Sequence, residues 1–420
     1  MKKFVALLSG VAALALAACG KPEEPVAPVE PVAEATPAWT PPAANPADGD
    51  GGVSGFYTAA PASTDLKPGA MVRTEILETD KSLTEAARAE RILYVSTDGI
   101  GGKNPVLVSG AVFIPKGEKP ADGWPLMAWA HGTVGVADIC APSWNARSER
   151  DMKYLNHWLS QGYAVVASDY QGLGVPGGHP YLATKPAAYS VLDSIRAVQA
   201  AADYGIAKKV VLVGQSQGGG AAFATAVVAD AYAPDLDIRG TVATGTPYFT
   251  TTAAPVVRDP NAVEGVFAYT LYILHLVHQA DPSFDPDAIM TPEAKPVFEL
   301  TRTACLGGVA KGIMDAKLSQ AKAFTADPTP TVSKYYGLMA YDALKTKGPV
   351  FMGTGGKDND VPPEGQTRLV ADACKAGSVI EHHVYKDLDH SGTVNGSLAD
   401  STPFVKKAFA GEAIAGNCPK

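Results

Sequence analysis

"VVLVGQSQGGGAA", residues 210–222, sets a serine between two glutamines and two glycines, directly after a run of Val and Leu. The apolar run is short and bounded by Gly, which predicts a fully buried strand. The Gly/Ala-rich stretch after it, from Gln217 to Asp230, predicts a helix packed close to that strand. Strand, turn and helix in this order put Ser216 at the bend. A sharp strand-to-helix turn crowds its backbone, so the flanking positions must lack bulk, and Gly214 and Gly218 meet that need. G-x-S-x-G alone is a weak signal. Here the flanking strand and helix give it its context.

Outward from that bend, apolar strands alternate with helical segments. "PLMAWAHG" (125–132), "YAVVASDY" (163–170), "IRGTVATGTPY" (238–248), "PVFMGTGGKD" (349–358) and "IEHHVYKD" (380–387) read as strands. "AAYSVLDSIRAVQAAADYG" (187–205) has helical periodicity and a Gly stop. Before them, "MVRTEILE", "ERILYVSTDG" and "PVLVSGAVFIP" predict an antiparallel opening from about residue 70. Alternation of this kind implies an α/β fold: a mostly parallel sheet, helices on both faces and ligands at the C-terminal strand ends. Residues 249–346 break the pattern with an apolar helical stretch, "EGVFAYTLYILHLVHQA", and Pro-punctuated pieces. An insertion between two sheet strands predicts a helical cap or lid, with a plain structural layer as the alternative. The core then divides into 56–248 and 347–420.

The first residues belong to a different kind of segment. "MKKFVALLSGVAALALAAC" has two lysines, a short apolar run and small residues, the layout of an export signal. Its end, Leu16-Ala17-Ala18-Cys19, resembles the lipobox of bacterial lipoproteins. That resemblance implies a signal peptide over 1–18 and a lipidated Cys19. Gly20 in place of Asp favours the outer membrane. Residues 19–55, rich in Pro, Ala and Glu with no periodicity, read as a disordered tether. Four cysteines remain, Cys140, Cys305, Cys374 and Cys418. An even count in an exported chain predicts two disulfides with three possible connectivities. A net charge of −8 without a Lys/Arg block argues against nucleic-acid binding.

A serine hydroxyl needs a neutral imidazole to take its proton and an acid to orient that imidazole. In "FMGTGGKDNDVPP" the acid is Asp358 or Asp360, and D-x-x-V-P after a strand and Gly turn favours Asp358. Of His382, His383 and His390 in "EHHVYKDLDHSG", the first two fall within a strand and His390 lies in the loop beyond it, which favours His390. The oxyanion hole draws one backbone N–H from Gln217 and another from the loop His131-Gly132-Thr133, where Thr133 is the candidate donor. His131 reads as a ring that supports this loop. No metal or organic cofactor is required.

Together "AHGTVG", "ASDYQGLGVPGGHPYL", "GQSQGG", "GTGGKDNDVPP" and "DLDH" resemble the secretory lipase family of α/β hydrolases, of the yeast lipase A type, over roughly residues 70–418. The resemblance implies the α/β-hydrolase fold, a helical cap at 249–346, and disulfides Cys140–Cys305 and Cys374–Cys418. It implies a lipase or carboxylesterase working through Ser216, Asp358 and His390 on an ester or lipid. It puts Asp169, Tyr170 and His179 beside the site, with His131, Tyr170 and His179 as candidate substrate contacts. Two other expectations stand next to it: an amidase or peptidase with the same triad, and a non-catalytic envelope lipoprotein with a relict cleft. The lipobox departs from freely secreted members.

Overall fold

The computed structural model describes residues 40–61, 66–102, 104–254 and 258–418. The expected signal peptide, Cys19 and the tether as far as residue 39 lie outside the described residues.

Nine strands form one sheet: β1 Met71–Ile76, β2 Ala86–Thr97, β3 Pro105–Pro115, β4 Trp124–Ala130, β5 Ala164–Ser168, β6 Ile206–Gln215, β7 Asp237–Thr244, β8 Val350–Gly355 and β9 Ile380–Tyr385. Their order is β1-β2-β3-β5-β4-β6-β7-β8-β9. The first three strands, and β3 against β5, pair antiparallel; every later pair is parallel. This is an α/β-hydrolase sheet. The alternation in sequence gave the parallel character but not the exchange of places between β4 and β5.

The central strands are apolar on both faces, and period-two alternation sorts their side chains. Val210 and Leu212 of β6, with Leu126 and Ala128 of β4, enter one core with helices α2 (Thr184–Ala200) and α3 (Gln217–Tyr232). Val211, Val213, Met127 and Trp129 enter the other, with α1 (Glu149–Ser160) and α8 (Leu398–Ala410). α1 begins at Ser148, whose hydroxyl accepts the Asp151 N–H at 3.2 Å.

Between β7 and β8 lies a helical insertion that includes α4 (Ala268–Ala280), α5 (Lys295–Thr303) and α6 (Leu306–Asp315). It has its own apolar core, built on Leu271, Leu274, Val297, Phe298, Val309 and Ile313. Cys140–Cys305 bonds it to the loop after β4, with Cα atoms 5.4 Å apart, and Cys374–Cys418 ties α7 (Pro363–Lys375) to the C-terminal segment.

The expected tether does not run to residue 55. Asp50 accepts N–H bonds from Gly177 and Gly178 at 3.1 and 3.2 Å, and Asp138 accepts the Gly51 N–H at 2.8 Å. Arg302 of the insertion donates to the Ala47 carbonyl. Turn-forming Asn, Asp and Gly supply these contacts where composition reads only as unstructured.

Candidate active site

Ser216 sits between β6 and α3 with φ 60° and ψ −123°, a backbone conformation that L-residues rarely adopt. Its amide donates to the Thr244 carbonyl of β7 at 2.9 Å. The bend is closed by contacts that forbid side chains: a Cβ on Gly214 would lie 1.9 Å from the Gly218 carbonyl oxygen, and one on Gly218 1.9 Å from that of Ala130. The start of α3 is thereby pressed against the end of β4 and the loop 131–133.

β8 and β9 deliver the other two groups. Asp358 follows β8 and is buried, and its carboxylate is fully engaged. Oδ1 accepts the amides of Asp360 (3.0 Å) and Val361 (2.8 Å), and Oδ2 accepts Gln366 Nε2 (3.0 Å) and His390 Nδ1 (2.7 Å). His390 lies in the loop after β9 and is buried against Asp358. Asp360 points elsewhere, accepting the Tyr269 hydroxyl of α4 at 2.9 Å. His382 and His383 stay on β9, where His382 faces Thr354 and His383 faces Glu381. A ring nitrogen of His390 and oxygens of Asp358 and Asp360 lie within 4.8 Å of one another. Asp358 and the ring already spend their atoms on protein hydrogen bonds, so this trio is explained without a metal.

Two glutamines flank the serine, and each meets a histidine. Gln215 Nε2 is 2.9 Å from His390 Nε2, and Gln217 Nε2 is 2.9 Å from His179 Nε2. His179 donates from Nδ1 to the Gln171 carbonyl, and burial pushes its pKa down to about 4, so the ring is neutral and its Nε2 accepts from Gln217.

Across from them, Thr133 Oγ1 is hydrogen-bonded to the Tyr181 hydroxyl at 2.7 Å, and among the described residues the Thr133 amide has no acceptor. The Gln217 amide opens α3 and has no intrahelical acceptor. Both N–H groups are therefore without a protein acceptor among the described residues.

A cavity of about 500 Å³ adjoins the serine. Ser216, Gln217 and Tyr181 line it together with Val266, Tyr269, Thr270 and Ile273 of the insertion. α4 is apolar almost all round because Leu271, Leu274 and Val277 face the insertion's core while Tyr269 and Ile273 face this cavity. His131, Tyr170 and His179, the candidate substrate contacts, are not among the residues that line this cavity. His131 is buried, stacked on Tyr170 at 4.3 Å, and donates from Nδ1 to the Gly132 carbonyl; burial holds its pKa below the usual range. The Tyr170 hydroxyl donates to the His131 carbonyl. Asp169, its pKa raised by burial, is held by Ser109 and Ser143. These residues brace the loops that carry the site.

Sequence reasoning missed three contributors. Gln366 orients the Asp358 carboxylate from α7. Gln215 faces His390. Gly245, with φ +58°, leaves room for the imidazole: a Cβ there would lie 2.7 Å from His390 Cε1 and 2.9 Å from Nδ1. Only Gly245, in a Gly-Thr-Pro turn after a strand, carried any local signal.

The sheet, the strained serine bend and the buried acid–imidazole pair define an α/β hydrolase. The sequence profile of the secretory lipase family matches residues 145–416, and the chain belongs to that family of lipase-type hydrolases. It is 24% identical to Lipase A of Moesziomyces aphidis over 377 residues, 85% of this chain and 79% of the relative. It is 28% identical to a "probable inactive lipase" of Mycobacterium tuberculosis over 200 residues, which span 44% of each chain. Candida antarctica lipase A superposes with TM-score 0.69 at 23% identity, covering 89% of both chains. A rice cell wall degrading esterase of Xanthomonas oryzae superposes with TM-score 0.63 at 19% identity over 82% of this chain and 98% of its own. At these identities the structural matches speak to the fold.

Proposed function

We propose that the protein is a serine ester hydrolase, a lipase or carboxylesterase that works through Ser216, His390 and Asp358. The observation that carries this reading is the buried His390–Asp358 pair, 2.7 Å apart, whose imidazole meets Gln215, the residue before a strained serine that lines the cavity. Ser216 Oγ attacks the ester carbonyl carbon and its proton passes to His390 Nε2. Asp358 keeps Nδ1 protonated and stabilises the imidazolium. The amides of Thr133 and Gln217 hold the oxyanion. Collapse of the tetrahedral species breaks the ester C–O bond, and His390 returns the proton to the leaving alcohol. Water, deprotonated by the same ring, then releases the acid.

The cavity mixes apolar side chains with Arg258, Thr252 and Asp360, which suits an acyl group carried next to a polar alcohol. Upstream, the lipobox supports an anchor at Cys19 and an outer-membrane location. The test is hydrolysis of p-nitrophenyl esters beside matched anilides, with fluorophosphonate labelling of Ser216. Asp358→Asn is expected to lower kcat by about 10⁴-fold, as when an imidazole loses its orienting acid. Asp360→Asn is expected to change it less than about tenfold, since Asp360 bonds Tyr269 rather than the imidazole and an asparagine oxygen can still accept that hydroxyl. Equal losses in the two variants, or faster anilide than ester cleavage, would overturn the assignment.

A further inference from the structure

The proposed base is already occupied. His390 Nδ1 is 2.7 Å from Asp358 Oδ2, so it carries the proton of a neutral ring, and Nε2 has only its lone pair. The group facing that lone pair, at 2.9 Å, is the side-chain amide nitrogen of Gln215, a donor. Among the described residues Ser216 Oγ has no hydrogen-bond partner. One lone pair cannot serve both the amide and the serine.

The position of that amide is built into the neighbouring loop. A Cβ on Gly132 would lie 2.4 Å from Gln215 Oε1, so the His-Gly step at the proposed oxyanion loop is what admits the glutamine side chain. Gln215 itself is 1% exposed, fixed between Gly132 and the imidazole. The second glutamine–histidine pair, Gln217 with His179, has no such consequence, because His179 Nδ1 is held by the Gln171 carbonyl and not by a carboxylate that would make the ring a base.

We infer that Gln215 is a latch on the base: in the resting site its amide N–H holds His390 Nε2, and the lone pair must pass from Gln215 to the Ser216 hydroxyl before the serine is deprotonated. Gln215 is thus a positioning residue that sets how much of the enzyme is ready to react. The inference rests on the triad proposed above.

Gln215→Met keeps the side chain's length and removes the donor. The expected result is a kcat about fivefold higher, the factor that corresponds to the net worth of one neutral hydrogen bond, with KM within about twofold. Fluorophosphonate labelling should accelerate by the same factor. A spectroscopic reading needs no variant: in imidazole-¹⁵N-labelled wild-type protein, the Nε2 resonance of neutral His390 should stand at the position of a hydrogen-bonded lone pair. In Gln215→Met it should move toward that of a free one. An unchanged or lower kcat in a variant with wild-type Tm overturns the latch, as does a wild-type Nε2 resonance at the free position. Ser216→Ala separates the two readings. If it retains hydrolysis, the triad fails; if it is inactive and Gln215→Met is no faster, only the latch fails.

Discussion

Replacing Gly245 by alanine drives a methyl group into the imidazole that the proposed mechanism depends on. The new Cβ would stand 2.7 Å from His390 Cε1 and 3.5 Å from Asp358 Oδ2, whereas ordinary contact begins at 3.4 Å. The ring cannot simply slide away, because Nδ1 is tied to Asp358 and Asp358 is tied to two backbone amides and Gln366. The ring must tilt and misplace Nε2. A displacement approaching ~1 Å at a reacting group costs on the order of a hundredfold in rate. The left-handed backbone adds about 1–2 kcal/mol of lost stability for alanine. Gly377→Ala is the control: φ there is +91°, and nothing lies within 4 Å of its Cβ. Both variants should lose Tm, Gly245→Ala the more because of the added clash, and only Gly245→Ala should lose kcat on a short p-nitrophenyl ester. A Gly245→Ala enzyme that folds and keeps kcat within about twofold of Gly377→Ala would refute the placement of His390 as the base.

Asp138 is 1% exposed, and burial, aided by the nearby Asp50 charge, raises its pKa from 3.8 to about 7 against the Gly51 hydrogen bond that lowers it. The folded state therefore binds a proton more tightly than the unfolded state, so stability falls as pH rises from about 4 to 7, by roughly 4 kcal/mol from this group alone. Asp138→Asn should flatten that part of the Tm–pH curve and raise Tm at pH 8; an unchanged slope would show that Asp138 does not carry this pH dependence. For the proposed anchor, Cys19→Ala should abolish palmitate incorporation and release the protein from the envelope fraction, and retention of label in that variant would remove the lipoprotein reading.

Much of the fold was legible in the chain because its signals are local. The Val/Leu run before Gly214 could only be a buried strand, and the Gly/Ala run after Ser216 could only pack tightly. Asp358 and His390 were legible as the ends of loops that follow strands. What the sequence concealed was partnership across the sheet. Gln366 is eight residues beyond Asp358 yet meets it only because α7 folds back. The family resemblance put His179 beside the site, but only the folded chain shows its ring turned inward to Gln171 and Gln217.

Taken alone, the chain determined strand and helix identity, the tight bend at Ser216, the antiparallel opening and the helical insertion. Each follows from side-chain periodicity and turn chemistry within some twenty residues. Tertiary structure alone decided the exchange of β4 and β5, the end of the tether, and the hold of Gln215 on His390. Those depend on distances between groups far apart in the chain, which packing and hydrogen-bond geometry settle and no local pattern encodes.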